Sequence, residues 1–135
     1  EDILDTLNWV EFLGGLNKLF SRSDKSLQYI SEWIESNSSF EFMNPNENTR
    51  SNTGITFHIK ENWFKNMKEE RQREIMNEIF SLLYKHKVAY DITGYPKAPP
   101  SFRVWGGATV EPTDVKKILP WITWAVAEIK LQLNE

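Results

Sequence analysis

A guanidinium set in a short apolar strand is the feature that most restricts how this chain can fold. Between Asp91 and Gly107 the sequence reads Asp-Ile-Thr-Gly-Tyr-Pro-Lys-Ala-Pro-Pro-Ser-Phe-Arg-Val-Trp-Gly-Gly. Gly94, Pro96, Pro99 and Pro100 make a stiff loop, which opens into the strand Phe102-Arg103-Val104-Trp105. Burying a charge without a partner is very costly, so Arg103 needs solvent, a carboxylate of its own, or an anionic ligand.

The 135 residues are together expected to form one domain, residues 1–135. Apolar residues make up 40% of the chain, with six Trp and eight Phe, enough for a compact core. A net charge of −3 gives no basic footprint, which argues against bulk nucleic-acid binding. Without cysteine there is no disulfide framework and no thiolate metal ligand or nucleophile. No apolar run approaches the roughly 18 to 20 residues of a membrane span, and no signal-peptide pattern is present. A cytoplasmic protein is expected. The sequence opens on Glu1-Asp2-Ile3-Leu4, already inside a helical pattern and without Met, as if cut from a longer chain.

Ile3, Leu7 and Val10 recur at helical spacing until Gly14-Gly15, predicting a first helix over about residues 1–14. Leu16, Leu19, Phe20, Leu27, Ile30 and Ile34 predict one long helix from Gly15 to Ser36. Phe40-Glu41-Phe42 alternates as a short strand, and a loop rich in Asn and Pro follows. From Thr53 to Lys60, Ile55, Phe57 and Ile59 alternate with Thr56 and His58, as in a half-buried strand. A charged amphipathic helix is expected from Lys65 to Lys87, its balanced signs marking a solvated face, with Glu69 and Arg73 as an i,i+4 pair. Val88–Ile92 reads as a third strand and Phe102–Trp105 as a fourth. Glu111-Pro112-Thr113-Asp114 opens a last helix, since proline and an acidic first turn suit a helix start. Pro120 inside it should kink it. The expected fold is α+β, a small mixed or antiparallel sheet of about four strands packed with three long helices.

Among candidate chemical groups, His58 and His86 lack companions at metal-ligand spacing, so no metal site is expected. No phosphate-binding glycine loop or nucleophile elbow occurs. Trp121 and Trp124 are expected to pack inward, and Asp91 and Glu111 to serve turns and caps. No catalytic and no cofactor-binding residue is assigned. That leaves Arg103, whose planar fork matches a carboxylate, and Lys97, which the proline-rich loop could hold near the same ligand.

The segments Ala89–Ile92, Tyr95–Pro100 and Phe102–Glu111 together resemble the C-terminal region of phosphoserine aminotransferases, most of all the alphaproteobacterial form. Arg50-Ser51-Asn52-Thr53, Gly14-Gly15-Leu16 and Leu119-Pro120-Trp121 with Trp124-Ala125 extend the likeness over essentially the whole chain. The resemblance implies the small C-terminal domain of a fold-type I transaminase that uses pyridoxal 5'-phosphate. Such enzymes are homodimers that make phosphoserine from 3-phosphohydroxypyruvate and glutamate in serine biosynthesis. By the same likeness Arg103 would bind the substrate α-carboxylate. Lys97 would help hold its phosphate, at a position more often arginine. The Schiff-base lysine would lie in a large cofactor domain upstream, with residues 1–14 as the helix leading in from it.

Two readings follow. The chain is either the substrate-recognition domain of such a transaminase, inactive and cofactor-free alone, or a stand-alone non-catalytic α+β domain that binds a small carboxylate or a protein partner. An exposed apolar patch on the first helix and around Trp105 would mark an interface with a large domain, and could drive self-association of the fragment.

Overall fold

Three antiparallel strands carry one buried and one open face. A computed structural model of the chain describes residues 1–133. Along the chain the elements are α1 (Asp2–Leu13), α2 (Leu16–Ser36), β1 (Phe40–Phe42), a short 3-10 turn (Glu47–Thr49), β2 (Gly54–Ile59), α3 (Asn62–Lys65), α4 (Glu69–Lys85), β3 (Phe102–Trp105) and α5 (Pro112–Gln132). The sheet order is β1-β2-β3, with Phe40 opposite Ile59 and Phe57 opposite Phe102. The α+β architecture is the expected one, with three strands rather than four.

Period-2 alternation decides which face is buried. Phe40, Ile55, Phe57, Ile59, Phe102 and Val104 face a core shared with Ile30 of α2, Ile75, Ile79 and Leu83 of α4, and Leu119, Ile122 and Val126 of α5. Aromatic rings bind the layers together. Phe57 and Phe102 stack with centroids 5.1 Å apart, Phe80 meets Phe102 edge-on at 5.6 Å, and Trp33 lies 4.5 Å from Phe40. The other face of the sheet holds Glu41, Thr56, His58, Arg103 and Trp105, each at least partly exposed.

Val88–Ile92 is not a strand, and the end of α4 explains why. Val88 N–H donates to the Leu83 carbonyl at 3.0 Å and Lys87 N–H to that of Tyr84 at 2.9 Å. Those two bonds, with Lys87 at φ 58, form a Schellman cap. Val88 is apolar because it closes the helix end, not because it enters the sheet. Pairing with β3 starts only at Thr93, which bridges Phe102. The same cap ends α1, where Gly15 donates to Val10 and Gly14 to Glu11, with Gly14 at φ 106. Glycine meets no steric penalty there; lysine does.

The helix expected from Lys65 to Lys87 starts only at Glu69, because Lys65 ends a separate short helix, α3, and a break at 66–68 follows it. Gln72 Nε2 donates to the carbonyls of Phe64, at 2.9 Å, and Lys65, at 3.4 Å, and so satisfies groups the break sets loose. No glycine or proline marks that break. Within α5 the helix runs on through Pro120. Trp124 packs on the core, but Trp121 is 42% exposed and stands edge-on to it at 5.5 Å, beside His86. Trp121 sits one residue before the buried Ile122, about 100° round the helix from that stripe.

Two outcomes are expected. Lys87→Gly should relieve the left-handed strain and raise unfolding stability by about 1 kcal/mol, read as a higher urea midpoint at unchanged slope. A lower midpoint would contradict the cap. On the open face, Glu41 accepts from Lys65 at 2.6 Å and pairs with His58 at 2.7 Å. The hydrogen bond from Lys65, then that from His58, hold its carboxyl below the ordinary glutamate value. The folded pKa being the lower one, this pair contributes stability above the ordinary value and loses it as pH falls through the depressed one. Lys65→Met should move the Glu41 carboxyl titration upward in carbon-13 NMR; an unmoved titration would show that Lys65 is not the cause.

Candidate functional site

Arg103 lies on the outer face because Phe102 and Val104, its neighbours, are taken by the core. Across the sheet it faces Thr56. On its other side the chain folds back as a hairpin arm. Arg103 N–H donates to the Ile92 carbonyl at 2.9 Å and Gly94 N–H to that of Ser101 at 3.0 Å. Gly94 is needed for this approach, since a Cβ there would come within 2.5 Å of Ser101 Oγ.

The hairpin turns at its proline. Ala98 N–H donates to the Tyr95 carbonyl at 2.9 Å, which closes a β-turn with Pro96 and Lys97 at its centre. Arg73 of α4 pins that turn from below. Its Nη2 donates to the Ala98 carbonyl at 2.9 Å and its Nη1 to that of Pro96 at 3.4 Å, while Glu69 holds the same side chain at 2.5 Å. Between α4 and the hairpin lies a cavity of about 390 Å³ lined by Arg73, Asn77, Phe80, Tyr95 and Ser101 among others. Neither Arg103 nor Lys97 lines it. Arg103 stands on the open sheet face, outside that cavity.

Of the three environments open to Arg103, the structure shows a carboxylate of its own. Its Nη2 donates to both oxygens of Asp91, at 3.0 and 2.9 Å, and its Nε to the Thr93 carbonyl at 3.3 Å. The guanidinium carbon lies 5.2 Å from the Tyr95 ring. Arg103 therefore already has a protein partner, besides any substrate carboxylate that the resemblance would bring to it. Asp91, expected to serve a turn, is the ion-pair partner of Arg103. The pair is lopsided: the Arg103 side chain is 20% exposed and that of Asp91 72%. Lys97 stands exposed at the turn tip and makes no ion pair among the described residues. Arg103 and Lys97 thus share one hairpin, but no common partner joins them.

Sequence reasoning passed over Arg22. From α2 it donates to the Ala108 carbonyl at 2.8 Å and to that of Val110 at 3.4 Å, and pairs with Glu111 at 2.6 Å. It thereby fixes the loop that leaves β3 and the start of α5. An arginine on a helix and a glutamate at a helix start, 89 positions apart, carry no local signal of this pairing.

Beside this face lies apolar surface that none of the described residues covers. No residue of α1 is buried; Ile3, Leu4, Leu7 and Phe12 are exposed, Phe12 at 88%, and so are Leu16 and Phe20 at the start of α2. Trp105 is half exposed. Trp9, Phe12 and Thr109 line a shallow depression of about 770 Å³ that connects α1 to the loop after β3. This is the patch expected of an interface.

No family model matches the chain. Over 130 residues it is 34% identical to a phosphoserine aminotransferase of Methanosarcina mazei and 35% identical to one of Methanosarcina barkeri. Each match takes in 96% of this chain and 32% of the relative. The chain thus resembles phosphoserine aminotransferases over nearly all its own residues while spanning about a third of their length.

Proposed function

We propose that this chain is the C-terminal, substrate-recognition domain of a phosphoserine aminotransferase. The observation that carries the reading is Arg103, held on the outer face of β3 beside a wide uncovered apolar surface. A guanidinium carries its charge over several N–H donors in one plane, so it can hold a carboxylate of its own and still offer donors to a ligand. In this reading Arg103 takes the α-carboxylate of glutamate or of 3-phosphohydroxypyruvate, and Lys97 at the turn tip takes the phosphate. Both are recognition groups, and neither forms or breaks a bond.

Pyridoxal 5'-phosphate, which would act as the electron sink of such a reaction, does not fit this chain's own residues. A lysine able to hold it needs an enclosed, desolvated setting, whereas none of the chain's lysines is buried and Lys97 projects into solvent at a turn. The cofactor is therefore assigned to the two thirds of the relatives' length that this chain does not span. A larger domain bearing it would cover α1, Leu16, Phe20 and Trp105, and exclude water from around Arg103. Excluding water there would strengthen the arginine–carboxylate attraction. Homodimeric assembly and a cytoplasmic place belong to the same proposal. Among the described residues, no helix is long and apolar enough to cross a membrane.

Two tests bear on it. The chain alone, given pyridoxal phosphate, glutamate and phosphohydroxypyruvate, should form no 2-oxoglutarate; turnover would show that it holds the chemistry itself. In the transaminase that carries this domain, Arg103→Ala should raise the KM of amino-acid and keto-acid substrates by about 10- to 100-fold, the loss of a charged hydrogen bond. Unchanged KM values would remove Arg103 from the site.

A further inference from the structure

Resting on that reading of Arg103, we propose that Asp91 is a positioning residue: with the Thr93 carbonyl and the Tyr95 ring, it holds the guanidinium so that Nη1 is presented to the substrate carboxylate. The three groups come from one stretch of five residues, on the hairpin arm that begins where the cap of α4 ends. The two oxygen-bearing groups engage Nη2 and Nε, and the Tyr95 ring lies 5.2 Å from the guanidinium carbon. Nη1 makes no hydrogen bond among the described residues.

The form of the ion pair points to positioning rather than to charge satisfaction. A carboxylate that fully satisfies an arginine grips two nitrogens in a parallel fork. Asp91 instead places both oxygens on one nitrogen and leaves the other terminal nitrogen to a ligand. A role in holding the fold is a weak account of the pair, because Asp91 is 72% exposed and such pairs contribute little. What the contacts do provide is order. A free arginine loses considerable rotamer freedom on binding a ligand, and one already fixed by its own protein loses little.

The test is made in the transaminase that carries this domain. Asp91→Ala should raise the KM of both substrates, and the inhibition constant of a competing dicarboxylate such as glutarate, by about three- to tenfold, the cost of ordering one long side chain. Asp91→Asn keeps an accepting oxygen and should fall between Asp91→Ala and the parent. The thermal midpoint should stay where it is, which a purely structural residue would not allow. In the 135-residue chain itself, nitrogen-15 relaxation should show the Arg103 Nε–H more mobile in Asp91→Ala, with neighbouring backbone amides unchanged. A KM that stays the same would overturn the proposal, and a KM that falls would show that Asp91 competes with the substrate. If Arg103→Ala also leaves KM unchanged, the reading of Arg103 fails and this inference with it. If only Asp91→Ala is silent, Arg103 stands and the role of Asp91 is removed.

Discussion

The stacked pair of Phe57 and Phe102 is the contact on which the remaining geometry hangs. It fixes the register of β2 against β3 from inside the core, where neither ring is exposed. A slip of one residue would turn every side chain of β3 to the opposite face. Arg103 would then enter the core and Phe102 would meet solvent, each at a large cost in free energy. The buried ring thus determines where the charge stands. Phe80 and Phe40 brace the same ring from α4 and β1, so the three layers agree on one register.

The hairpin that supplies the partners of Arg103 is held from below in an unlike manner. Arg73 binds backbone carbonyls, not side chains, and so fixes the turn whatever residues occupy its tip. Lys97 can therefore vary without loosening its support. Such an arrangement separates the part of the site that recognises from the part that holds. The first helix is the opposite case. Its 12 residues bury nothing, and an isolated helix of that length is marginal in water. Its order depends on α2 and on whatever covers Ile3, Leu7 and Phe12.

Much of this was legible in the sequence, and the remainder was hidden for physical reasons. Periodicities of 3.6 and 2 reveal which residues share a face, so α2, β1, β2, β3 and α5 stand close to where their apolar patterns predict. The same signal misassigned Val88, because a Schellman cap also calls for an apolar residue at that point. It missed α3 and began α4 at Lys65 instead of Glu69, because no glycine or proline marks the break whose carbonyls Gln72 satisfies through its side chain. For the site, spacing brought Arg103 forward and reduced its needs to three. Which of them is met depends on a fold-back of 12 positions to Asp91, and local pattern does not encode that.

The stitching of α2 to the second half of the molecule has a consequence for the order in which this domain assembles. Arg22 reaches the segment from Ala108 to Glu111, while Trp33 and Asn37 at the other end of the helix both reach Thr123. Each contact closes a loop of 86 to 90 residues. Helices α2 and α4 can form locally within microseconds, but these long closures come later and each adds its own loop-closure entropy cost. Contacts so distant in sequence slow the search for the native state. The N-terminal helices must accordingly wait, partly open, for α5. On a ribosome they would spend that interval with an apolar face bare, the condition under which incompletely folded chains associate.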